Sequence, residues 1–146
     1  MSANQQPYLV RDIMSTDLKT LPFFATMTAA LEMMDLHCIR HILITDIQDE
    51  LVGIISDRDL RQDLLLEDNF GQGKGGPQRI EVGEVMTEFP ATISADSMIH
   101  QVAELFREYS INALPVLENG KVVGIVTSTD LLNVIAQGKM HEREAS

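Results

Sequence analysis

Two short stretches place a hydroxyl and a carboxylate three positions apart: Ser56-Asp57-Arg58-Asp59 and Thr127-Ser128-Thr129-Asp130. A carboxylate has two acceptor oxygens and can receive hydrogen bonds from both hydroxyls of a ribose. A hydroxyl at the start of a helix stands among free backbone N–H groups, where the helix dipole favours phosphate. The spacing therefore suits recognition of a sugar and a phosphate one helical turn apart. The same spacing also resembles a capping box, in which the hydroxyl caps the helix and the acid reaches back. Capping needs no ligand, although its usual acid is Glu or Gln. The two roles can coexist in one pair of residues.

The elements that must position these groups are written into the chain twice. Gly53-Ile54-Ile55 runs into Ser56 and Gly124-Ile125-Val126 into Thr127, and the acids are followed by Leu60 and Leu131. Each stretch reads as a strand passing directly into a helix. Upstream, Val10-Arg11-Asp12-Ile13-Met14 answers to Val82-Gly83-Glu84-Val85-Met86, and Met14 and Met86, like Thr20 and Thr92, stand 72 residues apart. Met27, Ala30, Leu31 and Met34 make one apolar helical face, and Ile99, Val102, Ala103 and Phe106 make another. These predict helices from Thr26 to about Leu36 and from Ser97 to about Tyr109. Strands follow at 40–45 and 112–117, then at 51–55 and 121–126. The second hairpin turn is Asn119-Gly120, a strong turn signal, and the first, Asp46 to Glu50, is one residue longer. Closing helices are expected over 60–66 and 131–137.

The predicted architecture is α+β: tandem β-α-β-β-α units packed as a pseudo-twofold pair, each with a three-stranded sheet and two helices. The first unit spans 8–66 and the second 81–138. Between them, residues 67–80 hold four glycines and Pro77, which read as a flexible linker. Residues 1–7 read as a disordered lead-in and 138–146 as a fraying tail.

With 22 acidic against 11 basic residues, the net charge of −11 argues against non-specific binding to nucleic acid or an anionic membrane. The single Cys38 cannot form an intrachain disulfide. No run approaches the ~20 apolar residues of a membrane helix. The expectation is a cytoplasmic protein.

A β-α-β-β-α unit in tandem, with Val-x-[Asp/Glu]-h-Met near each start, Leu114-Pro115-Val116 in the second copy and Gly-h-h-[Ser/Thr]-x-x-Asp near each end, resembles the cystathionine-β-synthase (CBS) domain pair, or Bateman module. The likeness covers roughly residues 8–137. It implies binding of an adenosine-containing ligand (AMP, ADP, ATP, S-adenosylmethionine or a dinucleotide) in clefts between the units, with no cofactor required. It implies a homodimer, energy sensing and regulation of a partner protein; the family usually regulates an attached enzyme, channel or transporter, and the short linker and tails lead us to expect no such domain here. Carried over by position, the cleft residues are Thr20, Arg40, His41, Ile42, Ser56, Arg58 and Asp59 in the first repeat. In the second they are Thr92, Asn112, Ala113, Leu114, Pro115, Thr127 and Asp130. Main-chain groups of the strands would contact the base; plain core packing is the alternative for the side chains of Ile42, Leu43 and Val116. Pro115 has no N–H and suits an edge or an irregular strand start; Leu43 stands there in the first repeat.

Phosphate calls for positive charge, and Arg40, Arg58, Arg61, His41 and Lys121 are the candidates near the motifs. Four of the five belong to the first repeat, which would therefore take the charged phosphates. Solvated surface charge is the alternative for each. His37, Cys38 and His41 invite a metal reading, but the repeat turns the helix into a strand there, as in 109–113. No nucleophile elbow or metalloprotease pattern occurs, and Gly71-Gln72-Gly73-Lys74-Gly75-Gly76 lacks the ending of a P-loop. An enzyme is not expected. The competing function is a constitutive protein–protein interaction or dimerisation scaffold with vestigial nucleotide clefts.

Overall fold

The computed structural model describes residues 8–70 and 76–145; the lead-in at 1–7, the linker core at 71–75 and the last residue lie outside them. By contacts the chain forms two compact units, Lys19–Pro90 (the first unit) and Met1–Leu18 with Ala91–Ser146 (the second).

The first unit carries β1 (Thr20–Pro22), α2 (Met27–His37), β2 (His41–Thr45), β3 (Leu51–Ser56), α3 (Asp57–Phe70) and β4 (Thr87–Glu88), preceded in the chain by the short α1 (Val10–Ile13). Its sheet has the order β1-β2-β3-β4, with β1 parallel to β2 and the other pairs antiparallel. Four strands replace the expected three because β4 is supplied by the opening of the second repeat. The second unit carries β5 (Ile93–Ser94), α4 (Ile99–Tyr109), β6 (Ala113–Glu118), β7 (Lys121–Thr127) and α5 (Ser128–Ala145), with a three-stranded sheet ordered β5-β6-β7.

Local chemistry accounts for the boundaries. The Thr26 hydroxyl accepts from the Ala29 N–H at 3.1 Å and starts α2. Both α2 and α4 end in a left-handed residue, Cys38 or Ser110, whose N–H returns to the carbonyl of Met34 or Phe106. This C-cap ends the helix before the strand. Met27, Ala30, Ile42, Ile44, Ile55, Leu60 and Val82 are fully buried in the first core; Val10, Ala95, Val102, Leu114, Val116 and Val126 are in the second. Ala103, expected on the buried face of α4, is exposed, and Leu105 packs with Phe106 instead. Asn119 and Gly120 both take positive φ, as an Asn-Gly hairpin turn requires.

The helices at the repeat ends run longer than expected. α3 continues through Phe70, so residues 67–70 of the anticipated linker are helical, and Gly76–Arg79 forms a 3₁₀ turn. α5 continues to Ala145 through the anticipated tail. Among the described residues no helix is long and apolar enough to cross a membrane.

The opening of each repeat docks on the body of the other. In the second unit, Val10 N–H donates to Ser97 O at 2.8 Å, Arg11 N–H to Ala95 O at 3.0 Å, and Ser15 and Ile125 exchange backbone bonds. In the first unit, Val82 N–H donates to Ala25 O at 2.7 Å and Gly83 N–H to Phe23 O at 2.9 Å. The repeats at 8–66 and 81–138 thus run across the partition into compact units. The docking of 10–15 carries a charged clasp: Arg11 is hydrogen-bonded to Asp96 and, at 3.0 Å, to Glu118. Gly83 replaces Arg11 in the other copy.

Candidate functional site

In the first unit, β3 ends at Ser56 and α3 starts at Asp57. The Ser56 hydroxyl accepts from the Asp59 N–H at 3.0 Å, and Asp59 Oδ2 accepts from the Ser56 N–H at 3.1 Å. This is the reciprocal capping box, closed with Asp. Asp59 Oδ1 carries no hydrogen bond among the described residues, so one carboxylate oxygen is left to accept from a ligand hydroxyl. His41 pairs with Ser56 across the sheet, and the Asp57 N–H donates to Arg40 O at 2.8 Å. Backbone pairing therefore brings Arg40, His41, Ser56, Arg58 and Asp59 to one end of the sheet. Thr20 sits further along, paired with Leu43, and is exposed. Ile42 is fully buried, so its side chain belongs to the core and only its main chain could serve a ligand.

The second unit repeats this end with a different hydroxyl geometry. Asp130 Oδ2 accepts from the Thr127 N–H at 2.8 Å and from the Thr127 hydroxyl at 3.3 Å. Here the hydroxyl donates to the acid, whereas Ser56 accepts from the helix. Ala113 pairs with Thr127, and the Ser128 N–H donates to Asn112 O at 3.1 Å. Asn112, Ala113, Thr127 and Asp130 thus come together, while the side chains of Leu114 and Pro115 are buried.

Pro115 lies inside the central strand β6, paired with Ile125, and not at an edge or a strand start. The cost of its missing N–H appears on the neighbouring strand. Leu43, its counterpart, donates to Lys19 O at 3.3 Å, and β1 begins at Thr20. No such donor exists at Pro115, β5 begins only at Ile93, and Thr92 is left outside the strand.

The candidate cations separate. Arg61 Nε donates to both Asp57 oxygens, at 3.0 and 3.1 Å, and is occupied. Arg40 and Arg58 are exposed and form no ion pair among the described residues. Lys121 begins β7 and Thr127 ends it, about 20 Å apart at 3.4 Å per residue, so Lys121 cannot serve that motif. His37 closes α2, Cys38 is its exposed left-handed cap and His41 begins β2. Among the described residues no group of three or more His, Cys, Asp or Glu could hold a metal.

A cavity of about 410 Å³ lies in the second unit, lined by Thr92, Ser94, Asp96, Glu118, Asn119 and neighbours. It is at the hairpin end of the sheet, away from Thr127 and Asp130, and Thr92 is the one anticipated residue it contains. The sequence reading also missed what the motif glycines are for. A Cβ on Gly53 would stand 2.3 Å from Met86 Sδ and 3.0 Å from Thr87 O, and one on Gly124 would stand 2.6 Å from Met14 Sδ and 2.9 Å from Ser15 O. The repeated Gly and Met were both visible, but their pairing crosses from one repeat to the other.

The two units, each a small sheet with one strand (β3 or β7) running directly into a helix, define a class. The chain belongs to the CBS domain family, whose model matches residues 10–66 and 82–137. A CBS domain-containing protein of Dictyostelium discoideum is 33% identical, covering 87% of this chain and 90% of that protein. The homoserine O-acetyltransferase of Methanococcus vannielii is 27% identical, and this chain spans only 25% of its length. Among solved structures, the CBS domain pair of MJ0100 in complex with 5′-methylthioadenosine and S-adenosyl-L-methionine matches with a TM-score of 0.77 at 28% identity, covering 91% of this chain and 99% of that one. CBSX2 in complex with AMP matches with a TM-score of 0.72 at 26% identity, covering 90% and 98%.

Proposed function

We propose that this chain is a regulatory module that binds an adenosine-containing nucleotide and passes the binding on to a partner protein. The observation that carries the reading is the repeated Ser56/Asp59 and Thr127/Asp130 arrangement. Each acid keeps Oδ2 on the backbone and presents Oδ1 for a ribose hydroxyl. The similarity to CBS pairs solved with AMP and with S-adenosyl-L-methionine supports the adenosine class. Main-chain groups near Thr20, Ile42, Thr92, Leu114 and Pro115 would meet the base. Arg40 and Arg58, both without an ion-pair partner among the described residues, would meet phosphate, which the Asn112 and Thr129 counterparts cannot neutralise. The module acts in the cytoplasm as a homodimer, for which exposed Leu132 and Ile135, one turn apart on α5, offer an apolar face. It performs no catalysis of its own, and ligand acts by favouring one of two arrangements through differential affinity.

A second reading has one observation in its favour: the Ser56/Asp59 capping box is complete, and Asp130 is bonded to Thr127, without a ligand. On that reading the chain is a constitutive scaffold. A thermal-shift screen with AMP, ADP, ATP, S-adenosylmethionine and NAD separates the two. A ligand at 100 times its dissociation constant stabilises the native state by ~2.7 kcal/mol, a visible shift. A flat response to all five at millimolar concentration favours the scaffold.

A further inference from the structure

The hairpin end of the first unit's sheet, opposite the Ser56/Asp59 motif, gathers apolar side chains that the fold does not bury. β1 and β4 both run toward this end, and backbone bonds fix the residue after each: Phe23 N–H donates to Thr45 O and Phe89 N–H to Val52 O, both at 3.0 Å. Between them projects the loop 46–50. Phe24, Ile47 and Phe89 are 52%, 83% and 78% exposed in the folded chain, and Phe23, in edge-to-face contact with Phe24 at 5.4 Å, is 38% exposed. Phe89 also holds φ at +45°, a conformation that bulky L-residues rarely adopt and that concentrates at functional surfaces. Solvated single apolar residues need no explanation; four at one sheet end, three of them aromatic, do.

The charge on the segments that carry them is of one sign. Residues 23–26, 46–50 and 87–90 contain Asp46, Asp49, Glu50 and Glu88 and neither Lys nor Arg. The corresponding end of the second unit is built differently: Ala95 is buried, Asp96 and Glu118 hold Arg11, and Asn119 takes the place of Ile47. The apolar end is therefore a property of one copy of the repeat and no requirement of the fold.

We propose that this end of the first unit docks a basic amphipathic segment of a partner protein, its apolar side chains on Phe23, Phe24, Ile47 and Phe89 and its Lys or Arg residues on the acidic rim. A second copy of this chain would bring like charge against like, and an anionic membrane would be repelled by the same rim. The surface supplies the partner side of the regulatory reading and rests on that reading only for its purpose. About 17 Å of β3 separates it from the ribose motif, so ligand and partner can bind together.

The test titrates the isotopically labelled full chain with a Leu/Lys amphipathic helical peptide and with its Leu/Glu counterpart, following amide shifts by NMR. The expected result is a footprint on residues 23–24, 46–50 and 88–89 with the basic peptide only. The Ile47→Ser/Phe89→Asn double variant, which removes the apolar contacts without adding charge, should bind it at least ten-fold more weakly; asparagine tolerates positive φ and keeps the backbone. A footprint spread over the acidic surface, equal binding of the Leu/Glu peptide, or unchanged affinity in the variant would overturn the proposal. So would self-association in sedimentation that the double substitution abolishes, since the surface would then join copies of this chain. AMP-induced thermal shifts in the same samples keep the two readings apart: a lost footprint with an intact shift rejects only the docking surface, and the converse rejects only the sensor.

Discussion

Met86 Sδ lies where a side chain on Gly53 would have to begin, 2.3 Å from an ideal Cβ, and Met14 stands in the same relation to Gly124 at 2.6 Å. The glycine of each strand-to-helix motif is thus the seat for the opening segment of the other repeat. Gly53→Ala and Gly124→Ala are expected to destabilise by roughly 1–3 kcal/mol, as overpacking does. The Met tips could swing aside, but Thr87 O and Ser15 O are backbone and cannot. Denaturant melts should show a partial rescue when Gly53→Ala is combined with Met86→Ala. Gly138 makes the contrast: nothing lies within 4 Å of its Cβ position on α5, so Gly138→Ala should stabilise by about 0.5–1 kcal/mol.

Caps give a second test of the local account. Thr26→Ala removes the acceptor for the Ala29 N–H and should cost about 1 kcal/mol in thermal or urea unfolding. Asp59→Asn should cost less, because the amide oxygen can still accept from the Ser56 N–H.

How much of this was legible depends on the range of the forces involved. The α+β tandem repeat, the Asn119-Gly120 turn and the core stripe Met27, Ala30, Met34 are short-range patterns, and they could be read directly. The ends of α3 and α5 were misjudged because polar sequence alone does not stop a helix that is already propagating. The docking of Val10 on the second unit and Val82 on the first could not be read from apolar periodicity, since it joins residues far apart in the chain. Pro115 misled for a specific reason. Its missing N–H points to an edge, yet β6 is central and the neighbouring strand, β5, shortens instead. At the motif itself, spacing alone left ribose binding and capping both open; the geometry shows the reciprocal cap formed at Ser56/Asp59 only, and among the described residues no hydrogen bond on Oδ1 of either acid.

The unequal cations lead to a third expectation. Arg58→Gln should weaken AMP binding several-fold and reduce its salt dependence, while adenosine binding changes little. Calorimetric titrations at two salt concentrations would show it; equal losses for AMP and adenosine would assign Arg58 a structural role.

Val10 and Val82 are each fully buried where an opening segment docks. Val10→Ala and Val82→Ala should each cost roughly 1–3 kcal/mol, from lost methyl burial and the cavity left behind. Hydrogen exchange should quicken first at Ser15 and Ile125 for the former and at Gly83 and Met86 for the latter.

The central claim is that Asp59 and Asp130 hold ribose, and calorimetric titration of AMP, adenosine and S-adenosylmethionine into the wild type, Asp59→Asn, Asp130→Asn and the double variant tests it directly. The account predicts binding to the wild type, a several-fold or greater loss at one site in each single variant, and no measurable heat in the double variant, with melting temperatures of the ligand-free proteins nearly unchanged. Identical isotherms in the wild type and the double variant would contradict it.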